Sequence, residues 1–199
     1  MSKDFWDKRY SESEFVYGTE PNQFFKEQID KLTPGKILFI AEGEGRNAVY
    51  AAKLGWNVDA VDFSSSAKNK ALKLASTNNV AINYTVADLN DYNFKENIYD
   101  CVVMIFVHLD DDLRKIVFPK IQKSLKKQGR LIIEVFNKEQ INNSSGGPQN
   151  IDLLYDDEVL LATFDEFYIE MMDNKTVELN EGNFHKGLAD VLRFVGIKN

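Results

Sequence analysis

Between residues 37 and 136, short apolar runs rich in β-branched and aromatic residues alternate with stretches of helical periodicity, and that alternation leaves few folds open. Residues 37–41 read as a buried strand bounded upstream by Pro34-Gly35, and residues 47–54 as a helix stopped by Gly55. Residues 58–61 read as a second strand. Ser64 or Ser65 then caps a helix with apolar positions at Ala67, Ala71, Leu72 and Ala75, and residues 81–86 form a third strand. Residues 99–107 are apolar and β-rich enough for a central strand buried on both faces. Leu109, Leu113, Val117, Ile121 and Leu125 recur every four residues as the stripe of an amphipathic helix, which Gly129 closes before a strand at 130–136. Repeated βα units of this kind build an open, mostly parallel sheet with helices on both faces. After a helical pattern at 156–163, strand patterns at 167–172 and 188–195 follow with no helix between them. They are expected to end the sheet as an antiparallel pair.

A chain of 199 residues predicts one domain, here read as an N-terminal helical lid over 1–34 and a core over 35–199. No repeat stands out, and only residues 142–148 look like a long loop. The net charge is -7, and the short basic group at 123–127 falls late in a predicted helix, where cations complement the helix dipole. Polyanion binding needs clustered cations, so a nucleic-acid partner is disfavoured. No apolar run approaches the roughly eighteen residues of a membrane helix, and the charged, aromatic start at 1–6 does not fit a secretory signal. A single cysteine, Cys101, gives no internal disulfide and fits a reducing compartment, so the cytoplasm is expected. Cys101 itself reads as core.

The first strand runs into Ala41-Glu42-Gly43-Glu44-Gly45-Arg46-Asn47-Ala48. A strand, glycine turn and helix set a ligand at the carboxyl end of the sheet against a helix N-terminus. Asp62 ends the second strand, where a carboxylate accepts ribose hydroxyls, and Asp88 ends the third, facing the position of an adenine amine. Gly43, Gly45 and Ala48 formally satisfy a dinucleotide pattern. However, Glu42 and Glu44 lie within the turn, where they repel a pyrophosphate and favour an ammonium and a sulfonium. Adenosylmethionine is therefore preferred to a nicotinamide dinucleotide, with Glu44 alternatively turned to solvent.

These residues carry a resemblance. Residues 37–64, ILFIAEGEGRNAVYAAKLGWNVDAVDFS, are similar to the first two motifs of class I S-adenosylmethionine-dependent methyltransferases, and within them to the tellurite-resistance and thiopurine methyltransferase-like group. Trp6-Asp7-Lys8-Arg9-Tyr10 and the stretch 16–22 resemble that group's N-terminal lid; 105–109 resemble the end of its fourth strand. Residues 146–148 and 181–187 resemble segments of a related bacterial subgroup. The resemblance implies a Rossmann-like seven-stranded, mostly parallel sheet with an antiparallel C-terminal strand. It implies that Ala41, Glu42, Gly43, Glu44, Gly45 and Asn47 surround the amino-acid part of the cofactor. Asp62 and Ser64 would then hold the ribose side, Phe63 would pack on the adenine, Asp88 and Leu89 would meet the base edge, and Phe106 would border the site. Trp6, Tyr10 and Tyr17 would close over it. The chain departs from the family at Phe39, where an acid is usual, and at Ala41, where glycine is usual.

Methyl transfer is an in-line displacement at an activated carbon. The protein aligns, excludes water and, where needed, deprotonates the acceptor. No metal is called for. The two histidines are the candidates for that proton: His108 just past the fourth strand and His185 in a loop before the last. No Asn/Asp-Pro-Pro-Tyr-like turn follows the fourth strand, which points to a small-molecule acceptor, a thiol or chalcogen oxyanion by resemblance, with S-adenosyl-L-homocysteine as the other product. Two alternatives stand beside this reading: a non-catalytic adenosylmethionine-binding protein of the same fold, and an NAD-dependent oxidoreductase.

Overall fold

The computed structural model describes residues 3–199; Met1 and Ser2, the start of the expected lid and of the stretch read against a secretory signal, lie outside the described residues. The seven strands are β1 (Lys36–Ile40), β2 (Asn57–Asp62), β3 (Asn83–Val86), β4 (Tyr99–Ile105), β5 (Leu125–Phe136), β6 (Phe167–Glu181) and β7 (His185–Lys198). They form one sheet in the order β3-β2-β1-β4-β5-β7-β6. β1 to β5 run parallel, β7 lies antiparallel to β5, and β6 pairs antiparallel with β7 at the edge. The expected seven-stranded Rossmann-like sheet is the one observed.

Successive strand residues point to opposite faces, so each apolar run serves two cores. Leu38 and Ile40 join Val102, Met104, Ile133 and Val135 under α5 (Asp111–Ser124) and α6 (Asp157–Thr163). Ile37 and Phe39 join Ala60, Cys101, Val103 and Ile132 on the other face. That second face is covered by α2 (Gln23–Ile29), α3 (Arg46–Lys53) and α4 (Ser65–Thr77). Phe39, where the family carries an acid, is 1% exposed and meets Phe25 of α2 edge-to-face at 5.3 Å. Burying such a ring contributes about 2 kcal/mol. The N-terminal stretch thus divides: α2 belongs to the core, while α1 (Lys3–Tyr10) lies against α4, with Asp7 accepting from the Ser64 hydroxyl at 2.5 Å and the Ser66 amide at 3.1 Å.

The last two strands are longer than their apolar patterns. β6 is an edge strand, so polar residues such as Asp173, Asn174 and Lys175 face solvent while their backbone stays in the ladder with Arg193, Leu192 and Val191. The pairing continues to Glu181 opposite His185, and His185 is therefore the first residue of a strand rather than part of a loop. The basic group at 123–127 also differs from expectation: α5 ends at Ser124, β5 starts at Leu125, and Lys126 pairs with Asp100 at 2.8 Å. Among the described residues no helix is long and apolar enough to cross a membrane.

Candidate functional site

The carboxyl ends of β1, β2, β3 and β4 open into a cavity of about 630 Å³, roofed by α1 and by the loops after β4 and β5. One wall comes from the strand ends. Ala41, Glu42, Asn47, Asp62, Phe63, Asp88 and Leu89 line it, and Trp6, Tyr10 and Tyr17 lie across it. The turn is held by Asp62, whose carboxylate accepts from the Gly43 amide at 3.0 Å and the Ser64 amide at 2.9 Å. Burial nonetheless pushes the Asp62 carboxyl up to about 6. Glu42 is set at the mouth of α3, where its carboxylate accepts from the Ala48 amide at 2.7 Å. Burial pushes it up to about 8, against the pull of that amide and of Arg46. Ala41 leaves β1 with φ 49, a left-handed torsion that favours glycine and accounts for the family's usual residue there.

Four residues expected at the cofactor do not line the cavity. Gly43 lies beneath Tyr10, whose hydroxyl would be 2.9 Å from a Cβ, and its carbonyl accepts from the Tyr84 hydroxyl at 2.6 Å. Gly45, at φ 87, is a packing glycine: a Cβ there would lie 2.6 Å from that of Ala71 in α4. Glu44 turns neither to the cavity nor to solvent. Its carboxylate accepts from the Val16 amide at 2.7 Å and pairs with Lys70 at 2.7 Å, tying down the N-terminal segment. Ser64 is buried as the N-cap of α4, accepting from the Ala67 amide at 3.1 Å.

The opposite wall is aromatic. Phe106, with φ 55 at the end of β4, stacks on Phe136 at 4.5 Å and meets His185 edge-on at 4.6 Å; Tyr17 reaches His185 at 4.4 Å. His108 stacks on Phe136 at 5.5 Å. Its Nδ1 is 2.9 Å from the Leu153 carbonyl, so it is the protonated nitrogen, and Nε2 accepts from the Phe136 amide at 3.4 Å. Burial pulls His108 down to about 4, so it is neutral at pH 7. His185 is also lowered, chiefly by burial, while its Nδ1 lies 3.3 Å from Glu181.

Several lining residues were not among the expected cofactor contacts or histidines. Arg46, the first residue of α3, donates to Glu181 at 2.8 Å and to the Tyr17 carbonyl at 3.3 Å. Arg9 holds its guanidinium over Phe184 at 4.3 Å and Phe5 at 4.6 Å, bridging α1 to the β6–β7 turn. Gly147 and Pro148 reach the cavity because buried Gln140 ties down their loop, donating to the Ser145 hydroxyl at 3.0 Å and the Gly146 carbonyl at 2.9 Å. The stretches 16–22, 146–148 and 181–187, far apart in the chain, thus meet around His185. Gly146 packs on the His185 ring, and Gly182 on the backbone of Val16 and Tyr17.

Residues 37–129 match the methyltransferase domain family. Over 95 residues the chain is 28% identical to a probable S-adenosyl-L-methionine-dependent methyltransferase, TehB, of Haemophilus influenzae, covering 48% of this chain and 32% of that one. It is 30% identical over 95 residues to Hemagglutinin 1 of Eikenella corrodens, covering 45% of this chain and 31% of that one. The match thus spans less than a third of the length of either curated relative. The solved structure of Haemophilus influenzae TehB superposes with a TM-score of 0.75 at 16% identity, covering 99% of this chain and 67% of that one. A structure from work on the conversion of a disulfide bond into a thioacetal group during echinomycin biosynthesis gives a TM-score of 0.81 at 15% identity, covering 99% and 91%.

Proposed function

We propose that this chain is a class I S-adenosylmethionine-dependent methyltransferase, similar to TehB, that moves a methyl group from adenosylmethionine to a small acceptor, a thiol or a chalcogen oxyanion. The observation that carries the cofactor is the place of Glu42. A dinucleotide pyrophosphate rests on the first amides of the helix after the glycine turn. Here Glu42 already takes the Ala48 amide, and burial makes it hold a proton until a cation takes that proton's place. An ammonium group fits that place and a phosphate does not. Asp62 would hold the ribose, Asp88 and Leu89 the base edge, and Phe63 the adenine face. Bound there, adenosylmethionine supplies a methyl group already activated by its sulfonium.

The acceptor reading rests on the aromatic wall. Phe106, Phe136, Tyr17 and two neutral imidazoles offer polarisable surface that suits a soft sulfur, selenium or tellurium atom. Arg9 and Arg46 line the same space and suit an acceptor with negative charge. Of the two histidines, His185 is the better proton acceptor. Both ring nitrogens of His108 are engaged, and it serves to hold the 149–153 loop.

Calorimetry with adenosylhomocysteine and with NAD tests the cofactor: tight binding of the first and none of the second is expected, and the reverse overturns the reading. Methyl release assayed across small thiols, selenite and tellurite tests the acceptor. Cofactor binding without turnover on any of them would favour the non-catalytic alternative.

A further inference from the structure

A chain of buried polar groups runs behind His185 and joins residues that no sequence motif connects. Glu134 of β5, 1% exposed, accepts from Arg193 at 2.7 Å and from the Asn22 side chain at 2.5 Å. The same Asn22 amide donates to Glu181 at 3.2 Å, and its backbone N–H donates to the Asn47 side chain at 2.8 Å. Glu181 then receives Arg46 at 2.8 Å and faces Nδ1 of His185 at 3.3 Å. Groups in such a network are ordered by one another, since each unsatisfied member would be costly.

We propose that Glu181 is a positioning residue: it holds His185 as the Nδ1–H tautomer and leaves Nε2 as the bare nitrogen for the acceptor's proton. The proposal rests on the reading of the cavity as a methyl-transfer site. Glu181 is an anion at neutral pH. Burial raises its carboxyl, but the His185 N–H and the Arg46 guanidinium outweigh that and hold it at about 2. An anion accepts and cannot donate, so Nδ1 carries the hydrogen. No described residue hydrogen-bonds Nε2. Gly146, at φ 136, keeps the ring edge clear, because a Cβ there would lie 2.6 Å from Cδ2 and 3.2 Å from Nε2.

Burial keeps the ring neutral and therefore able to take a proton, and the nearby Arg46 and Arg9 guanidiniums oppose its charging. Among the described residues Glu181 is the anion facing it, beside Tyr17, Phe106 and Phe136, with neutral His108 beyond. When the acceptor's proton moves to Nε2, its bonding electrons stay on the acceptor atom as the attacking pair. The imidazolium that results is stabilised by Glu181 until solvent takes the proton.

The test is the imidazole nitrogen spectrum of the full chain labelled with nitrogen-15. Only two histidines are present, and a His108→Asn variant assigns them. At pH 7 the wild type is expected to show a protonated Nδ1 and a bare Nε2 for His185. In Glu181→Gln the bare signal is expected to shift toward the protonated form, and the ring to take its second proton at a lower pH. Glu181→Asp, which keeps the charge, should restore part of the wild-type pattern. With an accepted thiol, Glu181→Gln should lower kcat at least about tenfold with KM within about threefold. A wild-type His185 protonated on Nε2 overturns the proposal, whatever the variants do. So does a Glu181→Gln spectrum identical to wild type. Both spectra are read without cofactor, so absent turnover on every acceptor would count against the methyltransferase reading and leave the tautomer question decided separately.

Discussion

The two walls of the cavity, read above as the cofactor wall and the acceptor wall, are built from different kinds of chain. On the first, Ala41, Glu42, Asp62 and Asp88 lie at or just past the ends of neighbouring parallel strands, each set in place by its own strand. On the second, Tyr17, Phe136, Pro148 and His185 come from four distant segments and are set in place by one another. Gly182 seats the segment at Val16 and Tyr17, Gly146 seats His185, and Gln140 holds the loop between β5 and α6. One wall follows from consecutive strand ends; the other needs the end of β5 and the start of β7 to meet loops already docked on them. Damage to the docking should therefore spare the first wall, and damage beneath the sheet should spare neither.

The largest effect is expected beneath the sheet, at Phe39. Phe39→Asp supplies the acid the family usually has, but puts it where a ring packs against Phe25. Losing the ring costs about 3–5 kcal/mol, and an unpaired buried carboxyl adds to that. A melting temperature lower by more than about 10 °C is expected, with loss of adenosylhomocysteine binding. A variant that melts like wild type would show that the cofactor wall does not depend on this core.

A matched pair of glycines separates the walls more finely. Gly45→Ala places a methyl 2.6 Å from Ala71 at φ 87, and is expected to cost about 3 kcal/mol together with cofactor affinity. Gly182→Ala drives a methyl into the backbone of Val16 and Tyr17 at φ 65, so the segment docked on it must shift, and it is expected to cost about 3 kcal/mol as well. Its signature should be lost turnover with cofactor affinity kept within about threefold, a difference of well under 1 kcal/mol. Equal losses of both in Gly182→Ala would mean the two walls are one unit.

The same division explains what the sequence disclosed. A wall made by successive strands leaves its marks close together: a glycine turn, then acids at two strand ends, all within residues 41–88. Even there the roles shifted. Glu44 and Gly45 look like ligand contacts because they share the turn, yet one anchors Val16 and Lys70 and the other packs on α4. The pairing of Arg46 with Glu181 had no local signal, since it spans 135 residues and depends on how the β6–β7 hairpin returns to the sheet. The length of that hairpin was hidden too, because an edge strand tolerates polar residues such as Asp173-Asn174-Lys175, which end the apolar pattern at 172.

Protonation sharpens the contrast at Glu42. Burial holds it at about 8 against an ordinary 4.5, and Asp62 at about 6 against 3.8. The folded chain therefore keeps protons that the unfolded chain has released. That stabilisation is complete at low pH and is lost as pH rises, through about 6 for Asp62 and about 8 for Glu42. Glu42→Gln removes the upper step, so without ligand the variant should melt a few degrees above wild type at pH 8 and alike at pH 5. Its adenosylmethionine affinity should fall about tenfold, the loss of one charge-assisted contact. Unchanged affinity would remove Glu42 from the ammonium site.

The smallest effect tests backbone alone. Ala41 and Phe106 both leave their strands in the left-handed region, at φ 49 and φ 55, where a side chain costs about 1–2 kcal/mol. Glycine relieves that cost but adds about 0.5–1 kcal/mol of chain entropy. For Ala41→Gly, which gives up only a methyl, a net gain of about 0.5–1 kcal/mol and a rise of about 2 °C in melting temperature are expected, with cofactor affinity unchanged. Phe106→Gly relieves the same torsion but removes the ring that Phe136 and His185 pack against, so it should melt below wild type and lose turnover. Opposite signs at the two strand ends would mean that Ala41 serves the cofactor wall through its backbone, whereas Phe106 serves the acceptor wall through its ring. A gain at both would mean that the aromatic packing around His185 contributes less than the torsion it strains.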